Sequence, residues 1–153
     1  MKEITRRKNK QILHIYNRGN RKELICHGKK DYIFLYNLIN FHFIQNHFDL
    51  ICFCIMPNHY HILAIQKGNV RIDKVMQKIG ARYTKYFNSK YSLSGHLFQG
   101  NYKSKVVSNF IQFKIVSIYI MENPKKVGLR NEFPVLFFNP TLLDYYSLHF
   151  SEE

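Results

Sequence analysis

Two groups of residues in this 153-residue sequence have types and spacings that could do chemistry. The first is His59-Tyr60-His61. On a strand, residues i and i+2 point to one face, so both imidazoles could aim at a single point while Tyr60 points away. Two imidazoles on a rigid strand make a metal half-site, which needs one or two more ligands and leaves positions open for a substrate. The plainer alternative is a pair of surface histidines. However, the flanking strands are otherwise apolar, and polar rings set into a core-facing pattern need a reason. The second group is Tyr119 and Asn123, which a helix would project from one face as an i, i+4 pair. Gln112 falls on the same stripe. Taken alone, Tyr119 reads more simply as a packed ring with a bonded hydroxyl, and Asn123 as a helix C-terminal residue before Pro124.

The elements that must position these groups follow from periodicity and punctuation. Residues 11–16, with Ile12, Leu13 and Ile15, read as a first strand stopped by Asn17-Arg18-Gly19-Asn20. Residues 29–46 carry Ile33, Leu35, Leu38, Ile39, His42 and Phe43 at helical spacing. Two strands, 50–55 and 60–65, flank the Met56-Pro57-Asn58 connection, and Pro57 cannot donate to a ladder. The clearest helix is 70–88: Ile72, Val75, Met76, Ile79 and Tyr83 form its apolar face, and Arg71, Lys74, Lys78, Arg82 and Lys85 the opposite one. A loop over 91–100 leads to a last strand at 103–107. Ser108 or Asn109 then caps a helix running to Met121 or Glu122, stopped by Pro124 and Gly128 and apolar on nearly all sides, as a buried helix would be. The tail, 131–153, is expected to pack on the body, so that 1–153 is one domain with a basic segment at 1–10. The order strand, helix, strand, strand, helix, strand is the α+β ferredoxin-like or RRM-like pattern, an antiparallel sheet covered by helices.

Composition narrows the function classes. Lys and Arg number 23 against 10 Asp and Glu, giving a formal net charge of +13, while 46% of the residues are hydrophobic. A disordered basic tail does not carry that apolar load, so the chain is a folded domain with a cationic surface suited to a polyanion. The scattered carboxylates argue against an acid cage for two metals or Ca²⁺ and against a paired-carboxylate glycosidase. No apolar run reaches the roughly 18–20 residues of a membrane span, and the basic start leads into no export signal. Cys26, Cys52 and Cys54 contain no CxxC pair, which leaves a cytoplasmic protein as the simplest expectation. Cation rows are most often merely solvated, but on the 70–88 helix only Asp73 supplies an acid, favouring a phosphate-tracking surface. Arg18 and Arg21 are read as DNA contacts or as a solvated basic turn. Lys103, read as a DNA contact, closes the stretch Phe98-Gln99-Gly100-Asn101-Tyr102-Lys103, which interleaves aromatics with a cation as single-strand binders do.

Asn17-Arg18-Gly19-Asn20, then Met56-Pro57-Asn58-His59-Tyr60-His61-Ile62-Leu63, Gly95-His96-Leu97-Phe98-Gln99-Gly100-Asn101-Tyr102-Lys103-Ser104 and Tyr119-Ile120-Met121-Glu122-Asn123-Pro124 occur in that order. Together they resemble the IS200-like transposases, most closely the REP-associated tyrosine transposase branch, over about residues 14–128. The resemblance implies a single-tyrosine HUH nuclease on an RRM-like fold. Such an enzyme cuts single-stranded or hairpin DNA, forms a 5′-phosphotyrosine link and rejoins strands with Mg²⁺ or Mn²⁺. Position by position, it implies metal binding by His59 and His61, completed by Asn123, and Tyr119 as nucleophile. The chain departs from many relatives in carrying Phe98 where they have Trp. The family includes monomers and helix-exchanging homodimers, and in a dimer Tyr119 would act on the other subunit's histidines.

These roles make chemical sense. A phosphodiester repels nucleophiles, so a divalent ion must neutralise a non-bridging oxygen. A phenol with a pKa of about 10 needs activation. A phosphotyrosine keeps the energy of the phosphodiester, so a free 3′-OH can reverse it. Two rival functions remain at this level: a non-catalytic nucleic-acid-binding module of RRM-like fold, and a metal-dependent phosphodiesterase that uses water.

Overall fold

The computed structural model describes residues 11–129 and 134–151. The basic segment 1–10, the opening of the tail at 131–133 and the Glu152-Glu153 end lie outside the described residues. The elements are β1 (Gln11–Arg18), α1 (Lys29–Gln45), β2 (Phe48–Ile55), β3 (His59–Gln66), α2 (Ile72–Tyr91), β4 (Lys103–Val107), α3 (Phe110–Lys126), β5 (Leu136–Phe138) and α4 (Pro140–Ser151). All neighbouring strands run antiparallel in the order β4-β1-β3-β2-β5. The α+β class expected from the element order is what the chain adopts. Its first six elements form the split β-α-β unit, with β3 lying between β1 and β2.

Alternation along the strands sends residues to two separate cores. Leu13, Ile15, Phe53, Ile55, Tyr60, Ile62 and Ala64 face α1 and α2, whose Leu35, Ile39, Phe43, Val75, Ile79, Tyr83 and Phe87 pack onto them. Full burial of such side chains contributes about 1.5–3 kcal/mol each. Ile12, Cys54, Leu63 and Ile65 face the other way, under Phe113 and Ile120 of α3, Leu136 of β5 and Tyr146 of α4. An irregularity in the pairing between Leu50 and Cys52 turns both Ile51 and Cys52 toward this second core.

The buried charge of the first core is well matched. The carboxylate of Asp31 is fully buried and accepts from the His27 N–H at 2.9 Å, Tyr86 Oη at 2.8 Å, Lys90 Nζ at 2.8 Å and the Tyr91 hydroxyl. Burial alone would push this carboxyl up, but bonds from Lys90, Tyr91, His27 and Tyr86 outweigh it and hold it below the usual carboxylate range.

Five expectations change. β1 runs through Asn17 and Arg18, because these turn-forming residues pair with Tyr60 and His59 of β3. α3 continues past Pro124 to Lys126. Proline near a helix end forfeits a single backbone donor, while its carbonyl still accepts from the Leu129 N–H at 2.8 Å, and Gly128, at φ +78°, ends the helix. Nor is α3 buried on all sides: Ile111 and Ile115 are 68% and 62% exposed. The tail supplies a strand on the β2 edge and a helix, elements that its mixed prolines and aromatics did not signal. Asn109 is the N-cap, its Oδ1 accepting from the Gln112 N–H at 2.9 Å. The Gln112 Oε1 accepts from the Ser108 N–H at 3.0 Å. Gln112 is thereby engaged at the cap and does not join Tyr119.

Candidate active site

β1 and β3 build one wall of the site. Their register sets Tyr16 opposite His61 and Arg18 opposite His59, so alternate residues of both strands share the face that α3 covers. His59 and His61, as the spacing predicts, lie side by side there, ring centroids 5.2 Å apart. α3 brings Tyr119 across to them: its ring stands edge-on to His61 at 5.0 Å between centroids, and the residue is 40% exposed. Lys126 Nζ lies 5.4 Å from the centre of the Tyr119 ring, placing a positive charge over it. Within a single chain, Tyr119 faces that chain's own histidines.

A cavity of about 530 Å³ opens at this point, lined by His59, His61, Tyr119, Tyr16, Asn17, Arg18, Gln99, Gly100, Asn101 and Lys103. Its two cations come from adjacent strands and share one face of the sheet, Arg18 at the end of β1 and Lys103 at the start of β4. Arg18 Nε donates to Gln99 Oε1, which fixes the guanidinium at the rim.

The two histidines are held in similar ways. His59 Nδ1 is bonded to Asn58 Oδ1 at 2.7 Å. His61 Nδ1 lies 3.0 Å from Nε2 of His14, a third imidazole, from β1. In both rings Nδ1 is engaged and Nε2 remains as the free nitrogen, the arrangement by which neighbouring groups set the tautomer of a ligating histidine. Burial, then the charges of His14 and His59, lowers His61 to about 3, and burial with the Lys105 charge lowers His14 to about 4. Burial also lowers His59. All three rings are neutral at pH 7, the form that binds metal.

Asn123 is buried next to the Cys54 thiol and does not line the cavity; Cys54 pairs with His61 across the sheet. Its amide Nδ2 has no hydrogen-bond partner. That nitrogen is a donor directed at the Cys54 sulfur, so an ion could rest only on the acceptor end of the amide, its oxygen. Burial pushes Cys54 up to about 12, so it is a thiol and not a thiolate ligand. Among the described residues, no cluster of three or more histidine, cysteine or acidic side chains could hold a metal. An ion at this point would therefore rest on the two imidazoles and the amide.

The remaining cations divide. Arg71, Lys74, Lys78, Arg82 and Lys85 are exposed along α2, on the opposite side of the sheet from Tyr119, and none lines the cavity. Arg71 is paired with Asp73 at 3.0 Å. Arg21 is exposed in the turn after β1, with a positive φ of 55°, and also stays outside the cavity.

The family model for "Transposase IS200 like" proteins matches residues 7–123. The chain belongs to the IS200-like transposase family. Among solved structures, it is similar to a REP-associated tyrosine transposase bound to a REP hairpin, with 19% identity, a TM-score of 0.65, and coverage of 88% of this chain and 80% of that one. It is also similar to a putative transposase from Deinococcus radiodurans, with 20% identity, a TM-score of 0.52, and coverage of 74% and 90%. No curated protein matches the chain. At these identities the structural likenesses establish the shared fold.

In this IS200-like transposase, the sequence reading missed His14, Tyr16 and the amide pair Gln99 and Asn101. A signal for the first two existed. His14 and Tyr16 alternate with Leu13 and Ile15, and the ferredoxin-like order sets β1 beside β3. Polar rings on β1 with the same parity as Ile12 had to face the histidine side. Gln99 and Asn101 sit in a loop whose path has no periodicity to betray it.

Proposed function

We propose that the protein is a single-strand DNA endonuclease and strand transferase that works through a 5′-phosphotyrosine on Tyr119. One observation carries this reading: His59, His61 and Tyr119, from a strand and a helix far apart in sequence, line the same cavity. The solved relative bound to a REP hairpin supports single-stranded or hairpin DNA as the partner. A DNA substrate and the lack of a helix able to cross a membrane among the described residues fit action in the cytoplasm.

His59 and His61, through Nε2, and Asn123, through its amide oxygen, would hold a divalent ion. Of Mg²⁺ and Mn²⁺, a donor set without carboxylate favours Mn²⁺, since imidazole is a poor match for the harder ion. Held there, the ion would supply charge to neutralise a non-bridging phosphate oxygen. The chain's own residues do the rest. Arg18 and Lys103 hold the strand's phosphates at the rim. The Tyr119 oxygen forms a bond to phosphorus as the bond from phosphorus to the 3′-oxygen breaks. The phenol loses its proton, the departing 3′-oxygen gains one, and Lys126 stabilises the phenolate on the way. The phosphodiester count is unchanged, so a 3′-OH can run the step backwards without ATP. The α2 cations, remote from this point, would bind flanking DNA through its phosphates.

A denaturing gel of hairpin DNA with single-stranded flanks, incubated with the protein and Mn²⁺, tests the proposal. The expected product is a protein–DNA adduct. Free cleaved ends without an adduct would mean a water-using phosphodiesterase, and bound but intact DNA a non-catalytic module.

A further inference from the structure

The basic turn that follows β1 lies outside the catalytic cavity, yet its backbone bears on His59. Arg21 and Lys22 both hold positive φ, 55° and 60°, a region that L side chains adopt reluctantly. Gly19 opens the turn with no room for a side chain, because a Cβ there would collide with the Glu23 carbonyl oxygen. The Lys22 N–H donates to the Gly19 carbonyl at 3.0 Å, and the Glu23 N–H to that of Asn20 at 3.0 Å. Both basic side chains are exposed; what this costly shape aims is a carbonyl.

The segment wraps the tip of the β2–β3 hairpin. The Gly19 N–H donates to the Asn58 carbonyl at 2.8 Å, and the Ile25 and Cys26 N–H groups donate to that of Pro57 at 2.7 and 3.2 Å. The Lys22 carbonyl, in turn, accepts from Asn58 Nδ2 at 3.3 Å. From that bond the donors and acceptors follow in one direction. A carbonyl only accepts, so the Asn58 amide turns its nitrogen to Lys22 and its oxygen away. There Oδ1 meets His59 Nδ1 at 2.7 Å. An amide oxygen also only accepts, so Nδ1 carries the proton of the neutral ring and Nε2 keeps its lone pair. His61 differs: its Nδ1 faces His14 Nε2, a nitrogen that can either donate or accept.

We propose that Asn58 is a positioning residue of the metal site, and that the backbone of the turn at 19–23 orients it. The inference rests on the metal reading above and deepens it. His59 is held in its ligating tautomer before any ion arrives, by a carbonyl whose residue does not line the cavity.

The test reads the ring itself. In NMR of the metal-free protein with isotopically labelled histidine nitrogens, the His59 signals are assigned by their loss in His59→Gln. At pH 7.5 they should show a proton on Nδ1 and none on Nε2. Asn58→Ala should give a mixture of the two tautomers, and its Mn²⁺ affinity by electron paramagnetic resonance should fall about 10–100-fold. Asn58→Asp, which still accepts from Nδ1, should restore the single tautomer. Gly19→Ala displaces the Lys22 carbonyl and should shift both readouts in the same direction as Asn58→Ala. Arg21→Gly and Lys22→Gly remove the side chains and keep the carbonyl, so both readouts should stay as in the parent. A loss in those two variants would place the effect in the side chains and overturn the role of the backbone. The inference is also overturned if Asn58→Ala keeps the proton on Nδ1, or if folded Gly19→Ala matches the parent. Should Gly19→Ala not fold, Asn58→Ala, at the hairpin tip, decides. A parent that binds no Mn²⁺ while its His59 tautomer follows Asn58 defeats the metal reading alone. Bound Mn²⁺ with a tautomer indifferent to Asn58 defeats the positioning role alone.

Discussion

The two faces of the sheet are built to different standards. Toward α1 and α2 the packing is dense and aromatic, and Asp31 is matched by four donors. Toward α3 and α4 the core is smaller. Here lie a histidine cluster, a buried amide nitrogen without a partner, a half-exposed tyrosine and a helix on which Ile111, Ile115 and Ile118 face solvent. The first face supplies the larger share of apolar burial, which offsets the cost of the polar cluster held on the second. A rigid strand pair can then hold two imidazoles in place even though their own surroundings disfavour them.

Substitutions on the two faces should therefore fail in different ways. The largest effect is expected at Tyr119 and His61. Tyr119→Phe should reduce adduct formation below detection and leave hairpin binding, measured by fluorescence anisotropy, within about twofold. His61→Ala should abolish adduct formation and Mn²⁺ dependence together. Neither should lower Tm by much, since Tyr119 is 40% exposed and His61 sits in a polar cluster. On the other face the pattern reverses. Phe43→Ala should cost about 3–5 kcal/mol in urea unfolding, because its ring is fully buried between α1 and the sheet. Ile115→Ala, a comparable truncation on the solvent side of α3, should stay within about 0.5 kcal/mol. If the two cost the same, the contrast between the faces is wrong.

How much of this the sequence disclosed depended on periodicity. α2 and the β2–β3 pair were legible because apolar residues recur at intervals of three to four or alternate. The histidine pair could be placed on one face by strand geometry alone. What escaped was set by pairing partners. Asn17 and Arg18 look like a turn until β3 pairs with them, and β5 exists only because the β2 edge lies open to it. Asn123 and Tyr119 share a helix face in the sequence. That the amide would be buried beside Cys54 while the phenol reached the cavity follows from how α3 lies across the sheet, which no local pattern encodes.

Smaller effects sharpen the picture. His14→Ala removes the ring that engages His61 Nδ1 and should weaken Mn²⁺ affinity about 10–100-fold by calorimetry, with Tm little changed. His14→Asn, which can still bond to that nitrogen, should recover part of the loss. The smallest effect lies at His42, the one poorly matched group on the α1 side. Both its ring nitrogens are buried without partners. Burial, together with the charges of Arg82 and Lys78, lowers its pKa from the ordinary 6.5. The unfolded chain then binds a proton that the folded one refuses. Stability from this group is complete well above pH 6.5 and declines as pH falls below it, by at most about 1.4 kcal/mol per pH unit. Urea titrations at pH 7.5 and 5.5 should show a smaller difference for His42→Leu than for the parent. His14, His59 and His61 are lowered in the same sense and should preserve the remainder of the slope.

The central claim is that Tyr119 carries the DNA. Trypsin cuts after Lys114 and Lys125, releasing a peptide, residues 115–125, whose sole tyrosine is Tyr119. After incubation with flanked hairpin DNA and Mn²⁺ and nuclease trimming of the adduct, mass spectrometry should find this peptide carrying a nucleotide phosphate, with fragment ions placing it on the tyrosine. An adduct mapped to any other residue, or cleaved DNA with this peptide unmodified, would contradict the account.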